Sequence, residues 1–159
     1  MFFYSKDYVK FVKNLKYYLS LELEFIPLEE SKWEDDLRLH NNTYFPIGKL
    51  GDIEIMFLHY KTQEEAKAKW QRRAKRVNWN NLFFKMSEQN LCDYECLKEF
   101  DSLPTSRKFC FTTKDYGLES QVIFKEYLGQ ASVRLDTTLF RKYINLSAFL
   151  TDKPFKLRQ

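Results

Sequence analysis

Residues 52 to 77 read DIEIMFLHYKTQEEAKAKWQRRAKRV, a span in which an apolar run gives way abruptly to an amphipathic helical pattern. Ile53-Glu54-Ile55-Met56-Phe57-Leu58 is short, β-branched at its start and bounded by Gly51-Asp52, which predicts a strand buried over most of its length. Thr62 and Glu65 have the spacing of a capping box, in which the hydroxyl and the carboxylate each satisfy an otherwise unpaired amide of the first helical turn. Ala66, Trp70, Ala74 and Val77 then form the buried stripe of a helix over residues 63 to 77. A strand that ends in His59-Tyr60-Lys61 and feeds a capped helix is a common way to build an anion-binding crevice in an α/β protein.

The alternation continues downstream. Leu82-Phe83-Phe84 opens a strand, residues 94 to 100 a helix, and residues 108 to 112 and 122 to 124 two further strands. Residues 139 to 150 have the apolar spacing of a closing helix. Upstream, Tyr8, Val9, Phe11, Val12, Leu15, Tyr18 and Leu19 predict an amphipathic helix over residues 6 to 20 with Ser5 as its cap. Phe2-Phe3 reads as the tail of a strand, residues 23 to 26 as a short strand stopped by Pro27, and the acidic segment 29 to 42 as a loop with one helical turn near Trp33. Strands alternating with helices imply right-handed βαβ units. The expected fold class is α/β, a three-layer, mixed and mostly parallel sheet with flanking helices, Rossmann-like. Gly48-Lys49-Leu50-Gly51-Asp52 precedes a strand instead of following one, so it reads as a tight turn and not as a phosphate-binding loop.

Length and composition narrow the class. A chain of 159 residues buries roughly 70% of its unfolded surface, so a single domain over residues 1 to 159 is expected. Only 4 Gly and 4 Pro argue against disorder and long linkers. No apolar run approaches the roughly 20 residues of a membrane helix, and charge recurs too regularly near Met1 for a signal peptide, so the expected location is cytoplasmic, without membrane insertion. Three cysteines make no disulfide framework, and His40 and His59 add too few ligands for a metal site. No cofactor is indicated.

Charge is uneven. Residues 61 to 85 carry Lys61, Lys67, Lys69, Arg72, Arg73, Lys75, Arg76 and Lys85 against only Glu64 and Glu65, while residues 22 to 36 are acidic. Lys69, Arg72, Arg73 and Arg76 share one helical face, which reads either as recognition of phosphate or carboxylate or as a solvated face complementing the helix dipole. Nucleic acid is not expected, since no DNA- or RNA-binding motif accompanies the basic helix. In a parallel sheet three strand exits would share one edge: His59-Tyr60-Lys61, Met86-Ser87-Glu88 and Thr112-Thr113-Lys114-Asp115. His59 is the candidate for proton transfer, with packing at a strand end as the alternative. Lys61, Arg72, Arg73, Arg76, Thr113 and Lys114 are the candidate substrate-binding residues.

The string FPIGKLGDIEIMFLHYKTQEEAKAKWQRRAKRVNWNNLFF, followed by CDYECLKEFDSLP and KFCFTT, resembles the bacterial family of unknown function DUF1919, often labelled exopolysaccharide or capsule biosynthesis protein. Gly48, Asp52, His59-Tyr60, Trp70, Arg72-Arg73 and Asn78 carry the resemblance, which covers residues 2 to 113. It implies surface polysaccharide assembly on an α/β scaffold, with a sugar or sugar-phosphate substrate handled by a transferase and polysaccharide-assembly proteins as partners. A noncatalytic assembly or regulatory protein is the alternative. Members usually carry a further strand, turn and helix upstream, so this chain is expected to be a shortened member, or a truncated, inactive remnant.

Overall fold

The computed structural model describes residues 1 to 145, and the chain divides into two compact units, Met1–Trp79 and Asn80–Gln159. Both mix helices with a small sheet, so the chain is α/β in the broad sense expected.

In the first unit, α1 (Ser5–Lys13) and α2 (Leu15–Ser20) replace the single expected helix. Asn14 breaks it, with φ −126° and ψ 41°, a departure that suits a residue whose short polar side chain competes with the helical backbone. Ser5 is the first helical residue and not the cap, which is Tyr4. Strands β1 (Glu24–Ile26), β2 (Ile47–Leu50) and β3 (Ile53–Met56) form an antiparallel sheet in the order β1-β2-β3. The segment α3 (Glu34–Leu39) lies in the acidic stretch between β1 and β2. Phe2 makes an isolated antiparallel bridge to Met56, with both hydrogen bonds at 2.9 Å.

The expectation of one mostly parallel sheet fails here for a local reason. Gly51 takes a positive φ of 59° and with Asp52 closes a two-residue hairpin, pairing Leu50 with Ile53. The residues just before that turn are therefore a strand, and the neighbour of β3 is its own hairpin partner. Gly48 sits within β2, where a Cβ would lie 2.7 Å from the Phe57 ring and 2.8 Å from Leu23. Asp52 is fastened at the turn by Lys10 Nζ at 2.6 Å and the Tyr18 hydroxyl at 2.7 Å. Lys10, then Tyr18, holds its carboxyl below the usual range, while burial, then Asp52, pushes the Tyr18 phenol up to about 12.

Helix α4 (Gln63–Ala74) packs through Ala66 and Trp70 onto Tyr18, Leu23, Leu50, Ile53, Ile55 and Phe57. It ends one turn earlier than expected, because the amides of Arg76 and Val77 bond to carbonyls three residues back, a tightening common at helix ends. A second apolar group joins Tyr4, Leu37, Phe45, Ile47 and Met56. The buried Asp7 carboxylate accepts from Lys32 Nζ at 2.6 Å, the Trp33 indole at 2.9 Å and the Glu54 amide at 3.0 Å.

The second unit holds the parallel sheet β4 (Phe84–Ser87), β5 (Lys108–Thr112) and β6 (Gln121–Ile123), in that order. Helix α5 (Tyr94–Asp101) connects β4 to β5, with Asp93 capping the Cys96 amide at 2.9 Å. Phe109, Phe111, Val122, Phe124, Tyr127, Val133, Tyr143 and Ile144 form the core on one sheet face. Met86 and Cys110 point to the other, alongside the buried Cys96, Leu97 and Phe100 of α5. β6 begins opposite Cys110, only two residues back from the end of β5, so the link of residues 113 to 120 suffices where a parallel connection ordinarily needs about a dozen or more. The closing segment is a short α6 (Asp136–Leu139) and a 3-10 turn, Phe140–Lys142. Residues 146 to 150 of the expected helix lie outside the described residues.

Candidate functional site

His59 stands exposed in the turn that leaves β3, which is closed by the Tyr60 amide bonding to the Phe57 carbonyl at 3.0 Å. Phe57 and Tyr60 pack edge to face beside it, with ring centroids 5.7 Å apart. Lys61 is exposed. The capping box forms in a modified way: Thr62 Oγ1 accepts the Glu65 amide at 3.2 Å, while the Glu65 carboxylate reaches the Lys61 amide at 3.4 Å instead of the cap's own. The cap thus consumes part of the amide supply that an anion would need.

Arg72 and Arg73 lie exposed in the last turn of α4, and Arg76 in the turn beyond it. A helix of 12 residues is about 18 Å long. His59 and Lys61 therefore sit at one end and the three arginines at the other, too far apart to hold one small anion together. The third group of candidates, Thr113 and Lys114, belongs to the second unit and its separate sheet. The strand exits at Lys61 and at Thr113 thus end different sheets, β3 in the first and β5 in the second.

At the carboxyl edge of β4 and β5 the buried polar groups gather. Lys85 and Ser87 alternate along β4 and so share a face. Both donate to Asp136 Oδ2, the hydroxyl and the ammonium each at 2.6 Å. Asp136 and Ser87 are buried, while the Lys85 side chain remains 40% exposed. Across the sheet the buried Glu88 accepts the Thr113 amide at 2.6 Å and the Tyr116 hydroxyl. Burial, then Glu88, pushes that phenol well above its usual range. Tyr116 stacks on Tyr94 at 5.7 Å, and Lys114 Nζ lies 5.0 Å from the Tyr116 ring centroid. Thr112 Oγ1 is buried at this edge with no hydrogen-bond partner among the described residues, an arrangement that ordinarily calls for an explanation. The edge therefore offers two buried carboxylates, a serine hydroxyl and two ammonium groups.

Among the described residues no group of three or more His, Cys, Asp or Glu is placed to hold a metal ion. Cys96 and Cys110 are buried and Cys92 partly exposed, all three as free thiols. No described helix is long and apolar enough to cross a membrane.

The family model "Domain of unknown function (DUF1919)" matches residues 1–149. The chain belongs to this family. The DUF1919 match takes in both the α4 segment and the β4–β5 edge. An uncharacterized protein of Haemophilus influenzae is 34% identical over 111 residues, covering 70% of this chain and 48% of that protein. The chain spans about half the length of the curated relative it matches.

Sequence reasoning placed Ser87 and Glu88 at a strand exit without assigning them a role, and missed Lys85 and Asp136. Lys85 and Ser87 had a signal, a polar pair at period two in an otherwise apolar strand. Asp136 had none, since its partners lie 49 and 51 residues away.

Proposed function

We propose that this protein is a transferase acting on a sugar or phosphorylated sugar donor in bacterial exopolysaccharide or capsule assembly, in the cytoplasm. The observation that carries the reading is the convergence of Ser87 and Lys85 on the buried Asp136 at the carboxyl end of β4, the edge where open parallel sheets bind ligands. Asp136, held in place by the Ser87 hydroxyl, takes the proton of the acceptor substrate's attacking hydroxyl. That oxygen bonds to the transferred group of the donor as the bond to the donor's leaving group breaks and that group departs with the electron pair. Lys85, with Lys114 at the next strand exit, offsets the charge that gathers on a leaving phosphate. The Rossmann-like layering expected from sequence is part of this proposal, supported by the parallel pairings of β4, β5 and β6.

The test is mass spectrometry of the surface glycan from strains carrying Asp136→Asn, Ser87→Ala or His59→Ala in place of the wild-type chain. The proposal expects D136N and S87A to lose the product and H59A to keep it. Loss in H59A alone returns the reaction to the β3–α4 turn, and an unchanged glycan in a deletion strain removes the biosynthetic reading.

A noncatalytic assembly partner is the second reading. It is favoured by the exposed cations at the end of α4 and by Tyr44, which is 70% exposed.

A further inference from the structure

Residues 66 to 79 contain no acidic residue but carry Lys67, Lys69, Arg72, Arg73, Lys75 and Arg76. Elsewhere in the first unit several cations are matched, Lys10 to Asp52, Lys32 to Asp7 and Arg38 to Glu29 and Glu34, and within the stretch itself Lys67 reaches Glu22. Among the described residues, Arg72, Arg73, Lys75 and Arg76 have no such carboxylate, and all four are exposed. The helix dipole favours cations within the last turn, such as Arg72 and Arg73, and falls off before Arg76 beyond it.

The position of these side chains decides what kind of anion suits them. A single phosphate is favoured at a helix N-terminus, where amides point outward, and disfavoured at a C-terminus, where carbonyls do. Long side chains fanning outward from a helix end hold their charges clear of those carbonyls and suit an extended anionic surface. Trp79 follows at once, 44% exposed, with Lys16 Nζ from α2 at 5.6 Å from its ring. An exposed indole beside a cation and next in sequence to a basic cluster is the pairing that settles at the headgroup level of a bilayer. A nucleic-acid surface of this kind would be expected to offer several stacking rings.

We propose that the end of α4 and the turn after it, from Arg72 to Trp79, bind an anionic phospholipid surface peripherally, with the arginines on the headgroups and Trp79 at the interface. This goes beyond the transferase reading and does not depend on it.

The experiment is co-sedimentation of the full chain with two kinds of vesicle, pure phosphatidylcholine and phosphatidylcholine containing about one third phosphatidylglycerol. The proposal expects binding to the anionic vesicles alone, falling with salt, and weakened about 100-fold or more in R72E/R73E/R76E. W79A is expected to weaken it several-fold with the salt dependence retained. Circular dichroism checks the triple variant, and R72Q/R73Q serves in its place if the triple variant misfolds. Equal binding to both vesicles, failure to bind the anionic ones at low salt, or unchanged binding by the folded charge variant overturns the proposal. Tighter binding to duplex DNA than to the anionic vesicles at the same salt overturns it as well.

Discussion

Gly48 lies against the ring of Phe57 so closely that the smallest possible side chain would meet it at 2.7 Å. Leu23 closes the same space from another side at 2.8 Å. Both neighbours are buried and packed, so neither has room to give way. Gly48→Ala is therefore expected to destabilise the first unit by roughly 1 to 3 kcal/mol through overpacking. Urea unfolding measures this, and Phe57→Leu in the same chain should recover part of the loss in a double-mutant cycle. An unchanged midpoint in the alanine variant would show that the strand can shift.

Asp7 joins three segments through one carboxylate, and removing it strands their donors. Asp7→Ala is expected to cost about 3 kcal/mol, less than a wholly buried ion pair because Lys32 keeps 39% of its side chain exposed. Asp7→Asn, which keeps the shape and one acceptor, should cost about 2 kcal/mol. Because the Trp33 indole loses its partner, the near-ultraviolet circular dichroism of D7A should change in the tryptophan region. Equal stability of D7A and wild type would contradict this account.

Thr62 supplies the side-chain cap of α4. Its replacement by alanine should cost about 1 kcal/mol. Glu65→Gln should cost much less, since the Glu65 carboxylate reaches its amide only at 3.4 Å. Thermal melts of the two variants rank them, and the reverse order would refute the geometry.

Glu126 gives the pH dependence a sign. Lys142, then the Tyr143 hydroxyl, holds its carboxyl down to about 2 from the usual 4.5. A depressed carboxylate contributes stability above its unfolded pKa and loses it as pH falls through the folded value. The melting-temperature gap between wild type and Glu126→Gln should therefore stay constant from neutral pH down to the usual value and close below it. Because the pair is exposed, salt should shrink the gap. A gap that widens on acidification would refute the assignment.

The parts of this fold that were legible in the sequence are those with a local cause. The helix at Gln63–Ala74 and the strand at Lys108–Thr112 follow from spacing and capping that operate within a few residues. The strand at Ile47–Leu50 is hidden because Gly48 within it and Gly51 just after it read as one turn, whereas Gly51 turns the chain and Gly48 makes room for a ring. Without that strand the spacing implies a parallel unit in place of the antiparallel hairpin. Thr113 and Lys114 directly follow β5, a strand of the parallel sheet, as the apolar run before them implies. Asp136 was invisible because burial and partnership across some fifty residues leave no periodic trace.

The Asp7 contacts also bear on the order in which the chain assembles. The hairpin around Gly51 closes over a few residues and forms without waiting for the rest of the chain. Asp7 has to wait, because the amide of Glu54 that it accepts lies 47 residues downstream. At a synthesis rate of about 5 to 20 residues per second, roughly 2 to 10 seconds separate Asp7 from the Glu54 amide on a growing chain, with Lys32 and Trp33 made in between. The carboxylate that fastens the first unit can thus engage all its partners only once the hairpin that carries Glu54 has been made, and it can do so before α4 (Gln63–Ala74) follows.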